Sequence, residues 1–268
     1  MLLDNMESDL FDLRGEIALV TGGLGQLGRQ FVRVLNEAGA TVVILDLHKD
    51  KIEDCLCLQV DITSRESVQS AYEVIGKQCG VPTILVNNAG VDAPPNAPAE
   101  MTGLFEDFPE SVWNAVVDSH LKGALFVSQE FIRAVKKGGC DHSSIINVSS
   151  TYGLVSPDQS MYEFRRKEGG TFFKPVAYSV AKAGMLNFTR WLAEYGAPHN
   201  IRANSLVPGG VYNGQDEEFL REYNRRVPMG RMASEVDFNG AVLFLASQRA
   251  SGYMTGASLV VDGGWTAK

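Results

Sequence analysis

The sequence predicts an α/β fold, a doubly wound parallel sheet of seven strands flanked by helices. Three observations carry this expectation. Short β-branched runs alternate with stretches of helical periodicity almost from end to end, the pattern of successive strand–helix–strand units. A glycine cluster, "TGGLGQLG" (Thr21 to Gly28), stands between the first such run and the first helical stretch. No repeat, linker or low-complexity tract divides the 268 residues, and that length suits one large α/β domain. We therefore expect an N-terminal extension over 1–14 and one domain over 15–268.

The elements follow in order. "EIALVTG" (Glu16 to Gly22) is a buried first strand. From Leu27, the apolar residues Phe31, Val34, Leu35 and Ala38 recur at helical spacing, and Gly39 ends the helix. "TVVILD" and "CLCLQV" read as the second and third strands, Ser64 to Cys79 as a helix, and "TILVNNAG" as the fourth strand. After a Pro-rich loop, "VDAPPNAPAE", a long helical pattern runs from about Pro109 to Lys137, with Trp113, Val117, Leu121, Leu125 and Phe131 on its apolar side. "SSIINVSS" is the fifth strand, and residues 154–175 read as an irregular surface insertion. Tyr178 to about Gly196 is helical, "IRANSLVPGG" is the sixth strand and "ASLVVDGG" the seventh.

Composition narrows the function. Hydrophobic residues make up 45% of the chain, and 24 Lys and Arg against 32 Asp and Glu leave a net charge of −8. Such a surface repels nucleic acid, so phosphate binding has to be local. The start, "MLLDNMESDL", carries Asp4, Glu7 and Asp9 and lacks the basic region of a secretory leader. No apolar run reaches the roughly 20 residues needed to span a bilayer. Cys55, Cys57, Cys79 and Cys140 lack the paired spacing of a metal site. A cytoplasmic protein without a metal or membrane partner is expected.

The glycine cluster fits G-x-G-x-x-G through Gly23, Gly25 and Gly28, or T-G-x-x-G-x-x-G through Gly22, Gly25 and Gly28. A third template, T-G-x-x-x-G-x-G, needs glycine where Gln26 stands. Glycines between a strand and a helix let the backbone approach a pyrophosphate, whose charge then rests on amides at the helix N-terminus. The second strand ends in Asp46, 18 positions beyond Gly28. A carboxylate there accepts the ribose hydroxyls of NAD and opposes the extra phosphate of NADP. NAD is the expected cofactor and NADP the less favoured one, although His48 and Lys49 follow directly.

"YSVAK" places Tyr178 and Lys182 four residues apart, on one face of a helix. A cation beside a phenol favours its ionised form, which suits proton transfer during carbonyl reduction or alcohol oxidation. Together with "TGGLGQLG", "NNAG" (Asn87 to Gly90), "VSS" ending at Ser150, "VPGGV" and "VVDGGW", these motifs resemble those of the short-chain dehydrogenase/reductase family over nearly the whole chain. That resemblance implies a single-domain Rossmann fold. It implies that Ser150 polarises the substrate oxygen, Tyr178 exchanges its proton, and Lys182 lowers the Tyr pKa and holds the nicotinamide ribose. It also implies a cofactor site formed by Gly22, Gly25, Gln26, Leu27, Gly28, Asp46, Asp61, Ile62, Asn88, Ala89, Gly90, Tyr178, Lys182, Pro208, Gly209, Gly210 and Val211, and a homodimer or homotetramer.

The chain departs from the family pattern in places. "HLKG" puts His120 where the family carries a relay Asn. His120 either joins the relay or is a packed histidine beside the helix stripe. Ser150 and Tyr178 stand 28 positions apart, wider than in the family's single-domain branch, and the glycine register through Gly22, Gly25 and Gly28 resembles the extended branch that acts on nucleotide sugars. We take that register on a single-domain frame. "KPVAYSVAKAG" and "PGGVYNGQDEEF" resemble enzymes of surface-carbohydrate and flagellin-modification pathways. A sugar, sugar phosphate or nucleotide sugar is then the expected substrate. Arg165, Arg166, Lys167, Arg221, Arg225 and Arg226 either meet a phosphate or carboxylate or solvate a face. The alternatives are a non-catalytic dinucleotide-binding sensor or partner subunit, and an epimerase or dehydratase that retains its NAD.

Overall fold

The computed structural model describes residues 10–52, 54–92, 99–167 and 171–268, apart from the side chains at 99, 100 and 167. The first part of the expected extension, most of the Pro-rich loop and a short piece of the insertion lie outside these residues. Seven strands form one sheet: β1 (Ile17–Thr21), β2 (Thr41–Asp46), β3 (Leu56–Gln59), β4 (Ile84–Asn87), β5 (Ser143–Val148), β6 (Ile201–Pro208) and β7 (Ser258–Val261). Every pairing is parallel, in the order β3-β2-β1-β4-β5-β6-β7. The central strands are buried along their length because helices cover both faces, which explains their unbroken apolar runs.

The covering helices are α1 (Gln26–Glu37), α2 (Arg65–Gln78), α3 (Glu110–Val117), α4 (Gly123–Gly138), α5 (Val176–Gly196), α6 (Glu217–Arg226) and α7 (Asn239–Ala246). Ser64 caps α2 by accepting the Ser67 amide. Gly39, at φ +97°, reverses the chain after α1 as expected. One core layer joins Phe31, Leu35, Val42, Ile44 and Phe238 on the side of α1 and α7. The opposite layer joins Leu19, Ile75, Leu85, Phe131 and Ile145 under α2 and α4. No helix among the described residues is long and apolar enough to cross a membrane.

Two expectations change in detail. The long helix is continuous from α3 to α4, but Asp118–Lys122 widens into a π turn. Its buried face runs through Val116, His120, Ala124, Val127, Phe131 and Val135, a residue before most of the expected positions, and Leu125 is exposed. A π turn takes more residues per turn, and a steps-of-four pattern across it therefore has two candidate faces. The second change is larger, because the 154–175 segment is neither wholly irregular nor wholly on the surface. It contains a 3₁₀ turn (Gln159–Tyr162) and a short helix (Glu163–Lys167). Met161 and Tyr162 pack with Phe219, Tyr223, Val227 and Met232 in a third core cluster. Its aromatic residues carry the burial, and its charged residues conceal it in the sequence.

Candidate active site

In a parallel sheet a crevice opens where the strand order reverses, outside the carboxyl ends of the strands. Here that point lies between β1 and β4. The Gly22 to Gly28 turn forms one wall and runs into α1. Gly22 adopts φ +61°, and a Cβ on it would stand 2.9 Å from the Ala89 Cα. A Cβ at Gly28 would stand 2.0 Å from the Gly22 carbonyl oxygen. Gly25 is the helix N-cap, and a Cβ there would meet only the Gly22 oxygen, at 3.3 Å. Gly23, outside the register taken from the sequence, is the more demanding position: a Cβ on it would reach 2.8 Å from Ile44. The loop therefore follows neither template alone. Gly22 and Gly28 allow the close backbone approach, and Gly23 seats the loop against β2.

The amides of Gln26 and Leu27 lie in the first helical turn, where no intrahelical acceptor exists, and both residues line the crevice. This is a cradle that fits a pyrophosphate. The Gln26 side chain donates to the Tyr212 carbonyl at 2.7 Å, linking the glycine loop to the segment after β6. On the other wall Thr21 Oγ1 accepts the Asn88 and Ala89 amides at 3.0 Å each, and Asn88 Nδ2 donates to the carbonyls of Thr21 and Gly22. Asp46 ends β2, where its carboxylate accepts the Leu24 and His48 amides. Asp61 and Ile62 follow β3. The Asp61 carboxylate is occupied by Thr63, and the Ile62 side chain is buried against Gly123, which leaves the Ile62 backbone as its route to a ligand.

Ser150, Tyr178 and Lys182 line one cavity of about 550 Å³ that also takes in Gln26, Leu27, Asn88, Gly90, His120 and Pro208 to Val211. Ser150 caps the short helix Thr151–Leu154 and hydrogen-bonds Tyr178. Its neighbour Ser149 donates to the Lys182 carbonyl at 2.7 Å and so braces α5. A buried polar ladder continues that bracing. Asn87 donates to Ser128 and Asn147, Asn147 donates to Thr189, and Ser205 donates to Thr189. Such a network fixes the rotation of α5 on the sheet, and hence where Tyr178 and Lys182 point.

Burial dominates the electrostatics of Tyr178. Burial and the Asp92 carboxylate push its pKa up, and the Ser150 hydrogen bond opposes them. Lys182 stands beside it on α5. Its ammonium lies 5.6 Å from the Tyr178 ring centre and donates to the Val148 carbonyl at 2.8 Å, and burial depresses its own pKa to about 8. His120 is buried edge-on to Tyr178, 5.6 Å between ring centres, with Nε2 3.0 Å from the Val91 carbonyl oxygen. Burial and then Lys182 hold its pKa well below the ordinary range, so it is neutral. Facing a carbonyl, Nε2 carries the proton. Its ring fills the space over Gly90, where a Cβ would stand 1.9 Å from Cε1.

Several cavity residues escaped the sequence reading: Asp92, Tyr152, Tyr162, Phe172, Lys174, Tyr223 and Trp265. Asp92 stands two positions after "NNAG" and Lys174 two before the helical stretch of "YSVAK", and these placements are the available signal. Of the basic candidates only Arg165 lines the cavity. Arg221, Arg225 and Arg226 are paired with Glu218, Glu222 and Asp158 on the outer side, and Arg166 donates to the Gln159 carbonyl. The Lys167 side chain lies outside the described residues.

Comparisons with known proteins agree with this architecture. A family model described as enoyl-(acyl carrier protein) reductase matches residues 25–266. The chain is 30% identical over 286 residues to an NADH-dependent L-xylulose reductase of Ambrosiozyma monospora, covering 96% of this chain and 97% of that one. It is 30% identical over 268 residues to the post-translational flagellin modification protein A of Campylobacter coli, covering 94% and 99%. The crystal structure of a gluconate 5-dehydrogenase from Burkholderia cenocepacia, in complex with NADP and tartrate, superposes with a TM-score of 0.83 at 27% identity, covering 97% and 98%. The fold and site define a nicotinamide-dependent oxidoreductase. The chain belongs to the short-chain dehydrogenase/reductase family.

The glycine geometry yields a direct test. Gly28→Ala is expected to weaken NADH binding by about tenfold or more, because its methyl group forces the loop away from the pyrophosphate cradle. Titration of NADH fluorescence measures this, and an unchanged Kd would remove Gly28 from the cofactor wall.

Proposed function

We propose that this protein interconverts a hydroxyl and a carbonyl on a sugar-derived substrate, with NAD as the preferred cofactor and Ser150, Tyr178 and Lys182 as its catalytic residues. The observation that carries this reading is the convergence of these three side chains on the cavity that starts at the N-terminus of α1. Bound NADH supplies a hydride to the carbonyl carbon, and NAD accepts one in the reverse direction. Ser150 holds the carbonyl oxygen and Tyr178, kept protonated by its surroundings, donates a proton to that oxygen. Lys182 provides the nearby ammonium that stabilises the phenolate left behind. The carbonyl thus gains one hydride at carbon and one proton at oxygen; oxidation reverses both transfers.

His120 has a positioning role in this reading, since its Nε2–H bond to Val91 and its contact with Gly90 hold the "NNAG" loop beside Tyr178. Asp46 supports NAD over NADP, because its carboxylate stands at the end of β2 where a 2′-phosphate would bring a like charge. Exposed Leu125 on α4 and Val180, Trp191 and Tyr195 on α5 support a homodimer or homotetramer through those helices. The bond between Ser150 and Tyr178 weighs against a non-catalytic sensor. Stoichiometric formation of NADH separates the reading from an epimerase or dehydratase cycle.

Tyr178→Phe is expected to cut turnover by roughly 10²–10⁴-fold while leaving the NADH Kd within about threefold; sugar-dependent NADH formation that persists in this variant would refute the assignment. Carbonyl reduction is expected to slow as pH rises through about 8, where Lys182 loses its proton. Lys182→Arg keeps its charge at all working pH, so its residual rate should lack that inflection in a pH–rate profile. Asp46→Ser is expected to raise the NADP-to-NAD ratio of kcat/KM by about tenfold or more, and an unchanged ratio would assign cofactor choice elsewhere.

A further inference from the structure

The substrate end of the cavity combines paired charges with an aromatic wall. We infer that it selects a neutral polyhydroxylated substrate, a polyol or the matching keto sugar, over a sugar acid or sugar phosphate. This rests on the oxidoreductase reading above and deepens it. Among the described residues, the charged side chains lining the cavity are Asp92, Arg165, Lys174 and Lys182. Lys182 is committed to the Val148 carbonyl beside Tyr178. Lys174 forms an ion pair with Asp92 at 2.5 Å, with only 12% of its side chain exposed. Arg165 forms one with Asp216 at 2.6 Å. Both cations toward the substrate side therefore carry a carboxylate already.

A substrate carboxylate or phosphate meets cations whose charge a carboxylate already balances, so it gains little Coulomb attraction in return for its lost hydration. It also lies close to Asp92. A vicinal diol brings no charge to the site. The Lys174 ammonium donates one of its other hydrogens to a hydroxyl oxygen without leaving Asp92. The pair is well placed for this, since Lys174 Nζ lies 4.8 Å from the ring centre of Tyr178, the proposed proton donor. Phe172, Tyr162 and Phe219, which follow one another at 4.8 and 5.6 Å between centres, make this end of the cavity partly apolar, as the C–H surface of a sugar chain requires. Among the relatives, one is named for a neutral keto sugar and one for a sugar acid; the charge pairing here favours the former.

The test measures kcat/KM for NAD reduction with xylitol, D-arabinitol and D-mannitol against D-gluconate and D-glucitol 6-phosphate, in wild type, Asp92→Asn and Tyr178→Phe. At least one polyol is expected to exceed both anions by about tenfold or more in wild type. Asp92→Asn, which frees Lys174 of its counter-charge, is expected to shift the anion-to-polyol ratio by about tenfold toward the anions. NADH binding and thermal unfolding serve as controls for the fold of that variant. If it does not fold, the wild-type ratio decides. A wild-type preference for gluconate or the phosphate, turnover of no polyol, or a ratio unmoved by Asp92→Asn overturns the inference. A preference for gluconate whose turnover disappears in Tyr178→Phe would overturn it while leaving the catalytic assignment intact. Oxidation that survives in Tyr178→Phe would fail the catalytic assignment instead.

Discussion

The cleft depends on one small junction, the hydroxyl of Thr21 at the carboxyl end of β1. It is buried, lies 3.4 Å from the Val86 carbonyl oxygen and accepts the amides of Asn88 and Ala89. Parallel strands that leave the sheet toward opposite helices have no further ladder bonds to satisfy their terminal amides. Thr21 and Asn88 supply the missing partners, so the glycine loop and the "NNAG" loop part from a fixed point. Gly22 can then pass within contact of Ala89 without a Cβ. The floor of the cleft is rigid for this reason, and the helix amides of α1 are aimed by it.

A second constraint fixes the opposite wall. Thr189 accepts from Asn147 and Ser205 and donates to the Met185 carbonyl, so its hydroxyl is saturated in a site without solvent. Rotating α5 by even part of a turn would strand several polar groups in the core, each at a cost of about 1–3 kcal/mol. Catalytic geometry on α5 is thus held from below by β5 and β6. The same helix leaves Tyr178 and Lys182 at the cleft, where burial has opposite effects on the two groups: it keeps the phenol protonated and makes the ammonium easier to deprotonate.

The sheet was legible in the sequence because parallel strands buried on both faces advertise themselves as apolar runs, and each of the seven expected runs contains its observed strand. The side chains that meet at the cavity, Ser150, Tyr178 and Lys182, were legible because "YSVAK" and "VSS" are local signals. What stayed hidden depends on contacts distant in sequence. Met161 and Tyr162 look like part of a charged loop until α6 is packed against them through Phe219 and Tyr223. Asp92 and Lys174 are 82 positions apart, and nothing local announces their pairing. Gly23 belonged to the register that was set aside, because its requirement comes from Ile44 on β2 and the spacing of glycines within the loop does not show it.

The chain's charge and its cleft obey a common logic. A protein of net charge −8 that binds a dinucleotide gains little from long-range attraction, so its cradle has to use dipoles: amides at the start of α1 and glycines that let them come close. Where a full charge does stand, at Asp46 on the end of β2, the proposed preference for NAD rests on its opposing the extra anion of NADP. Toward the substrate the same economy recurs, because Lys174 and Arg165 arrive with Asp92 and Asp216 attached. On the proposed reading such a cavity discriminates by offering no net charge to attract an anion. A neutral polyol with hydroxyls of its own then adds to the pair without breaking it.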